Sequence, residues 1–167
     1  LETAREKAPA IFAPSAHPRL GKGYKFVSSL DLIEHLDAAG WQLTSAKQSK
    51  SNKDIHKTYG THVLSFQHED LYIKDQKGGV EGRPTIVVIN NSNGNRPLSI
   101  DAGLYRIVCE NGLIIKTTDF GSVKERHIKY SQSEVKDIVS QKIVDMEKAV
   151  SSINRWTQRS MDSKSQY

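Results

Sequence analysis

Apolar residues recur along the chain with two different periods. Over residues 104–115 they form two β-branched blocks, 104–108 and 113–115, on either side of Asn111-Gly112. Asn-Gly accepts positive φ at both central positions of a type I′ turn. The block therefore predicts a hairpin with Glu110 opposite Leu113, Cys109 opposite Ile114 and Val108 opposite Ile115. Both faces are apolar near the turn, so the hairpin is expected at the centre of a sheet, covered on both sides. Residues 41–47 and 59–68 alternate like half-buried strands, 71–73 reads as a short strand, and 84–89 as a continuous buried one. Between them lie a polar loop at 49–57, a loop at Lys77-Gly78-Gly79 and the strand connector Asn90-Asn91-Ser92-Asn93-Gly94-Asn95. Asp119-Phe120-Gly121 is expected to turn the chain into a last strand at 122–130.

Two stretches carry the helical period instead. Residues 28–40 have Leu32, Ile33, Leu36 and Ala39 on one stripe, a serine cap at the start and Gly40 at the end. Ser131-Gln132-Ser133-Glu134 is a capping box. It opens a helix carrying Val135, Ile138, Val139, Ile143, Met146, Val150, Ile153 and Trp156, with seam-like spacing from Val139 onward. About 30 residues at ~1.5 Å each give a rod of ~45 Å, long enough to cross the domain or project from it. Residues 1–24 contain Pro9, Pro14, Pro18, Gly21 and Gly23 and read as an extended arm. The expected fold is α+β: a mainly antiparallel twisted sheet with one short N-terminal helix and one long C-terminal helix. The expected organisation is a single domain, with an arm at 1–24, a sheet core at 25–130 and the long helix at 131–162.

The chain has 167 residues and a formal charge of +5, with a sequence pI near 9.3. The basic residues come in sets: Lys47, Lys50, Lys53 and Lys57; Lys124, Arg126, His127 and Lys129; and Lys22 with Lys25. Lysines and arginines in such sets suit the phosphates of a nucleic acid. Arg106 joins the same candidate site as an arginine aimed at a phosphate or a carboxylate. No run is long enough to span a membrane. The opening Leu1-Glu2-Thr3-Ala4-Arg5-Glu6-Lys7 does not read as an export leader. A single cysteine makes no internal disulfide, which points to a reducing compartment, the cytoplasm.

Catalytic signatures are weak. Gly21-Lys22-Gly23 lacks the spacing of a phosphate loop, and Asp119-Phe120-Gly121 lacks the rest of a kinase. His62 and His68 stand too far apart to share a metal, and Glu69-Asp70 has no acid–base partner nearby. Cys109 in an apolar strand reads as a small buried hydrophobe rather than a nucleophile. No catalytic residue, metal or cofactor is therefore assigned.

The run from Ile86 through the Asn-rich turn to Gly103, Leu104, Arg106, Val108, Cys109, Asn111, Gly112 and Leu113 resembles a family of uncharacterised phage- and plasmid-borne proteins known as a domain of unknown function. Arg126-His127 and Gly40-Trp41 fit the same pattern. Ser92 stands where that family's turn often carries a histidine. The resemblance implies a mobile-element setting, in a bacterial host's cytoplasm, and no particular activity.

Three functions remain open on these grounds. The first is nucleic-acid binding, with single-stranded DNA favoured, in a recombination or replication role. The outline of helix, hairpin sheet and long last helix is similar to single-strand annealing recombinases, which assemble as homo-oligomeric rings. Tyr59, Tyr72 and Tyr130 would supply stacking faces. The second is docking on a host or defence protein through Met146, Val150, Ile153 and Trp156. The third is an enzyme, such as a nuclease.

Overall fold

The alternating segments pair in a computed structural model as one antiparallel sheet. The structure describes residues 1–107 and 114–164, without the side chains of 106, 107, 114, 115, 117 and 160–164. The long strands are β1 (Trp41–Gln48), β2 (His62–His68), β5 (Pro84–Asn90), β6 (Leu98–Ile107) and β7 (Ile114–Glu125), in the order β1-β2-β5-β6-β7. Strands β3 (Ile73–Lys74) and β4 (Val80–Gly82) form a separate small hairpin around the loop at 77–79.

Alternation sets which side chains face the core. Leu64 and Phe66 of β2, Ile86 and Val88 of β5, and Ile100 and Ala102 of β6 are buried against α2 (Ser29–Ala38) and α4 (Gln132–Lys164). Among the described residues, no helix covers the other face in this way. Val63, Val87 and Ile89 on it are only half-buried, so β5 is apolar on both sides while being packed on one.

The helical signals acted locally, as their chemistry requires. Ser28 Oγ accepts from Asp31 N at the start of α2, and Gly40 follows its end with φ +84°. At α4 the box closes in both directions: Ser131 N donates to Glu134 Oε2 at 2.6 Å, and Glu134 N to Ser131 Oγ at 3.4 Å. The 33 residues of α4 measure about 50 Å. Val135, Val139, Ile143, Met146 and Val150 are buried along one stripe. Gln132 ties the start of α4 to the start of α2 through Ser28, and His35 Nε2 lies 2.9 Å from Ser140 Oγ. Farther along, Asn154 donates to Tyr72 O and accepts from Lys74 N, docking β3.

Several expectations are corrected. Residues 1–24 are not an extended arm throughout: α1 (Glu2–Lys7) and a 3₁₀ turn (Pro9–Phe12) bury Ala4, Ala8 and Ile11 in the core. The polar stretch at 49–57 runs into α3 (Asp54–Tyr59). The last strand ends at Glu125, and Arg126 to Tyr130 form a turn instead.

The β6–β7 pair is not central; β7 is an edge. Its register also differs. Leu98 to Asp101 pair with Glu125 to Ser122, the register that a turn at Asn111-Gly112 implies. The step from Asp101/Ser122 to Gly103/Asp119 uses one residue more on β7 than on β6, and so does the step from Leu104/Thr118 to Tyr105/Lys116. Ile114 therefore faces Ile107, not Cys109, and Ile115 faces Arg106, not Val108. The first step is a bulge at Asp119-Phe120-Gly121, where Gly121 takes φ +100°, so this triplet bends a continuous strand rather than ending it. Two one-residue shifts restore each side chain to its original face. Cys109, Asn111 and Gly112 lie outside the described residues.

Candidate nucleic-acid interface

Strand register decides which loops meet. Gln48 pairs with His62, His62 with Asn90, Ile89 with Ser99, and Leu98 with Glu125. The ends of β1, β5 and β7 and the starts of β2 and β6 thus lie along one end of the sheet. Four segments gather there: 17–31, 47–61, 91–97 and 124–134. Together they hold eleven lysines and arginines (Arg19, Lys22, Lys25, Lys47, Lys50, Lys53, Lys57, Arg96, Lys124, Arg126, Lys129) against four acids (Asp31, Asp54, Glu125, Glu134). That is a formal +7 at one end of a chain that totals +5. All eleven cations are exposed.

Few of them are neutralised. Lys129 pairs with Glu125 at 2.8 Å, which holds its ammonium above the ordinary lysine value. Lys57 reaches Asp54 only at 4.0 Å. Arg19 donates to Asn93 O and Asn95 Oδ1, and Lys25 Nζ to Lys129 O. Lys47 and Lys124 stand on the same rung of the uncovered face, in the row Lys47–Val63–Ile89–Ser99–Lys124. Four strand spacings of ~4.8 Å put them roughly 19 Å apart.

The connector between β5 and β6 is built more tightly than a plain turn. Asn90, Asn91, Ser92 and Asn93 are all buried. Asn90 Nδ2 donates to Val27 O and to Ser29 Oγ, and Ser29 Oγ lies 2.6 Å from His62 Nε2. His62 Nδ1 donates to Gly60 O, so its Nε2 accepts the serine hydroxyl. Burial, opposed by the Gly60 bond, leaves the His62 pKa below its ordinary value. This serine–histidine pair is sealed in the core and joins α2, β2 and β5. Tyr24 donates to Asn91 O, and its burial pushes its pKa up to about 12.

At the other end of the uncovered face, Lys116 Nζ is held between Asp101 and Asp119, with Tyr105 donating to Asp101 at 2.9 Å. Burial would lower the Lys116 pKa, but the bonds to Asp101 and Asp119 raise it overall. The Lys116 hydrogen bond holds Asp119 below the usual carboxylate range. Burial first, and then Asp101, pushes the Tyr105 hydroxyl well up. The lysine occupies the space between the two carboxylates.

Of the candidate contacts read from the sequence, Lys47, Lys50, Lys53, Lys57, Lys124, Arg126 and Lys129 meet at the basic end. Two do not belong with them. His127 is 5% exposed, stacked on Tyr24 with its Nδ1 donating to Lys25 O, and burial lowers its pKa against that bond. It is a buried side chain, not a surface cation. Arg106 pairs with Ile115 at the opposite end of the sheet. Tyr59 and Tyr130 lie at the basic end, whereas Tyr72 lies beside Asn154 at the other. On α4, Met146 and Val150 are core residues and unavailable to a partner; Ile153 is half-buried, and Trp156 is 74% exposed. Lys22 and Lys25, a set already visible in the sequence, lie there too. Arg19 and Arg96 were missed: each stands outside the basic sets, and only strand order brings it to the others. Among the described residues no three His, Cys, Asp or Glu side chains gather as a metal site, and no helix is long and apolar enough to cross a membrane.

These features define an α+β protein with a five-stranded antiparallel sheet, helices on one face and a cationic strand end. The chain belongs to the family described as Domain of unknown function (DUF932), whose model matches residues 16–167. It is similar to two proteins of Escherichia coli (strain K12), UPF0380 protein YafZ and UPF0380 protein YfjQ, each 26% identical over 121 residues. The matched part is 71% of this chain and 41% of each relative, so the chain spans less than half the length of the curated relatives it matches. No solved structure matches it.

Proposed function

We propose that the protein binds nucleic acid, single-stranded DNA in preference, on the cationic end of its sheet, in a recombination or replication role for a mobile element. One observation carries this reading. Segments far apart in sequence converge on one end, and the described structure gives Lys22, Lys47, Lys50, Lys53, Arg96, Lys124 and Arg126 no side-chain hydrogen bond or ion pair there. Unpaired, exposed cations keep their interaction free energy for an incoming polyanion and release its counterions on contact.

Fluorescence anisotropy with labelled single-stranded and duplex oligonucleotides tests it. If about five phosphates are neutralised, single-strand affinity falls on the order of 100-fold between 50 and 200 mM salt. Lys47→Ala and Lys124→Ala should each flatten the log–log salt slope by about 0.7. Absence of binding at 50 mM salt, or an affinity that salt leaves unmoved, refutes the proposal. A second reading, docking of a protein partner or another copy of the chain, is favoured by Trp156, a large apolar side chain exposed on the last turns of α4. It predicts a salt-tolerant complex that Trp156→Ser weakens.

A further inference from the structure

The connector between β5 and β6 separates two concavities. The larger, about 560 Å³, lies between the end of β1, α3 and this connector, and Lys47 and His56 line it. The smaller, about 360 Å³, lies between the connector and the turn after β7. Asn95 and Arg96 line both. The floor of the smaller one includes Tyr24 stacked on His127, with ring centroids 4.8 Å apart and planes 17° apart. Pro97 and Ile128 give it apolar walls, and Ile128 is 60% exposed.

Arg96 is held by its backbone and free at its side chain. Asn91 Nδ2 donates to Arg96 O at 2.7 Å, and Asn91 Oδ1 accepts from Gly94 N at 3.0 Å. Asn93 Oδ1 accepts from Asn95 N at 3.1 Å. Asn91 and Asn93 are at most 1% exposed. Two buried amides therefore fix the connector tip, and the exposed guanidinium makes no bond among the described residues. A cation carried on a rigid support meets its ligand without first paying to order the loop.

We infer that Arg96 divides two nucleotide subsites for a single strand: one unpaired nucleotide enters each concavity, and the guanidinium takes the phosphodiester that joins them. This rests on the nucleic-acid reading above and adds to it a base-dependent contribution. Both volumes fall in the range of sites that hold small molecules. The half-buried Tyr24 ring and the two apolar walls suit the face of a base, while Lys47, Arg96 and Arg126 suit the flanking phosphates. A duplex keeps its bases stacked and paired, so it cannot fill the concavities.

The full chain is titrated at fixed salt with a 12-nucleotide single strand, an abasic strand of the same length and charge, and a duplex. The intact strand is expected to bind about ten-fold tighter than the abasic one, since base stacking adds to phosphate contacts. That ratio should persist as salt rises, because both strands carry the same phosphates. Arg96→Ala, a surface change whose folding is checked by thermal melting, should weaken the intact strand about ten-fold and flatten its salt slope by about 0.7. Equal affinity for intact and abasic strands overturns the inference. So does an unchanged Arg96→Ala beside a weakened Lys47→Ala, which leaves the broader reading standing. No binding to any probe overturns both.

Discussion

Acidification from pH 7 to 5.5 should destabilise this protein through two buried histidines. His62 is 1% exposed, with Nδ1 donating to Gly60 O at 3.0 Å and Nε2 accepting from Ser29, whose oxygen in turn accepts from Asn90 at 2.8 Å. A second proton on His62 would create a buried charge and set an N–H where the serine proton now points. His127 is also held below its ordinary value by burial. A histidine whose folded pKa is depressed stays neutral in the native state while the unfolded chain binds a proton. Its contribution is therefore complete above the unfolded pKa of about 6.5 and is lost as pH falls through the window below it. The slope is at most about 1.4 kcal/mol per pH unit for each histidine. Between pH 7 and 5.5 the loss reaches at most about 1.2 kcal/mol for one and about 2.5 kcal/mol for both, a large part of a typical 5–15 kcal/mol stability. Asp119 and Glu134 are held below the usual carboxylate range, so they do not contribute in this window. Urea unfolding followed by circular dichroism at pH 7.0, 6.0 and 5.5 measures the loss. His62→Gln should remove roughly half of it. A stability that stays flat from pH 7.0 to 5.5, or a loss undiminished in His62→Gln, would refute the reasoning.

Other substitutions separate core from surface. Met146→Ala should cost about 2–5 kcal/mol in urea unfolding, because the side chain is fully buried, whereas Trp156→Ser should change stability by no more than about 0.5 kcal/mol. Ser131→Ala removes an acceptor that the α4 capping box uses and should cost about 1 kcal/mol, read as a lower melting temperature. Gly103→Ala would place a Cβ 2.5 Å from Thr118 O and against Lys116 Cε; the loss of about 1–3 kcal/mol should appear in the same unfolding assay.

The local elements were legible in the sequence because their causes span only a few residues. Ser28, Gly40 and the pair Ser131 and Glu134 mark helix ends through bonds made within three or four positions, and alternation at 41–47 and 84–89 follows from the strand pleat. Proline and polar composition misled where tertiary burial won. Ala4, Ala8 and Ile11 fold 1–24 onto the core despite its prolines, and Gln48 Nε2 ties β1 to α3 by donating to His56 O and Lys57 O. The edge position of β7, its two bulges and the burial of His127 depend on partners distant in sequence, which no local pattern encodes.

By itself, then, the sequence determined an α+β chain of strands and two capped helices, with its positive charge in separated sets. Only the tertiary structure decided that Lys47, Arg96 and Lys124 share one end of a sheet, that Arg106 lies at the other, and that Met146 belongs to the core while Trp156 does not. The reason is physical. Helix caps and pleats are short-range, whereas the neighbours of a loop are set by strand order and register, which the burial of Leu64, Ile86 and Ile100 against α2 and α4 selects for the chain as a whole.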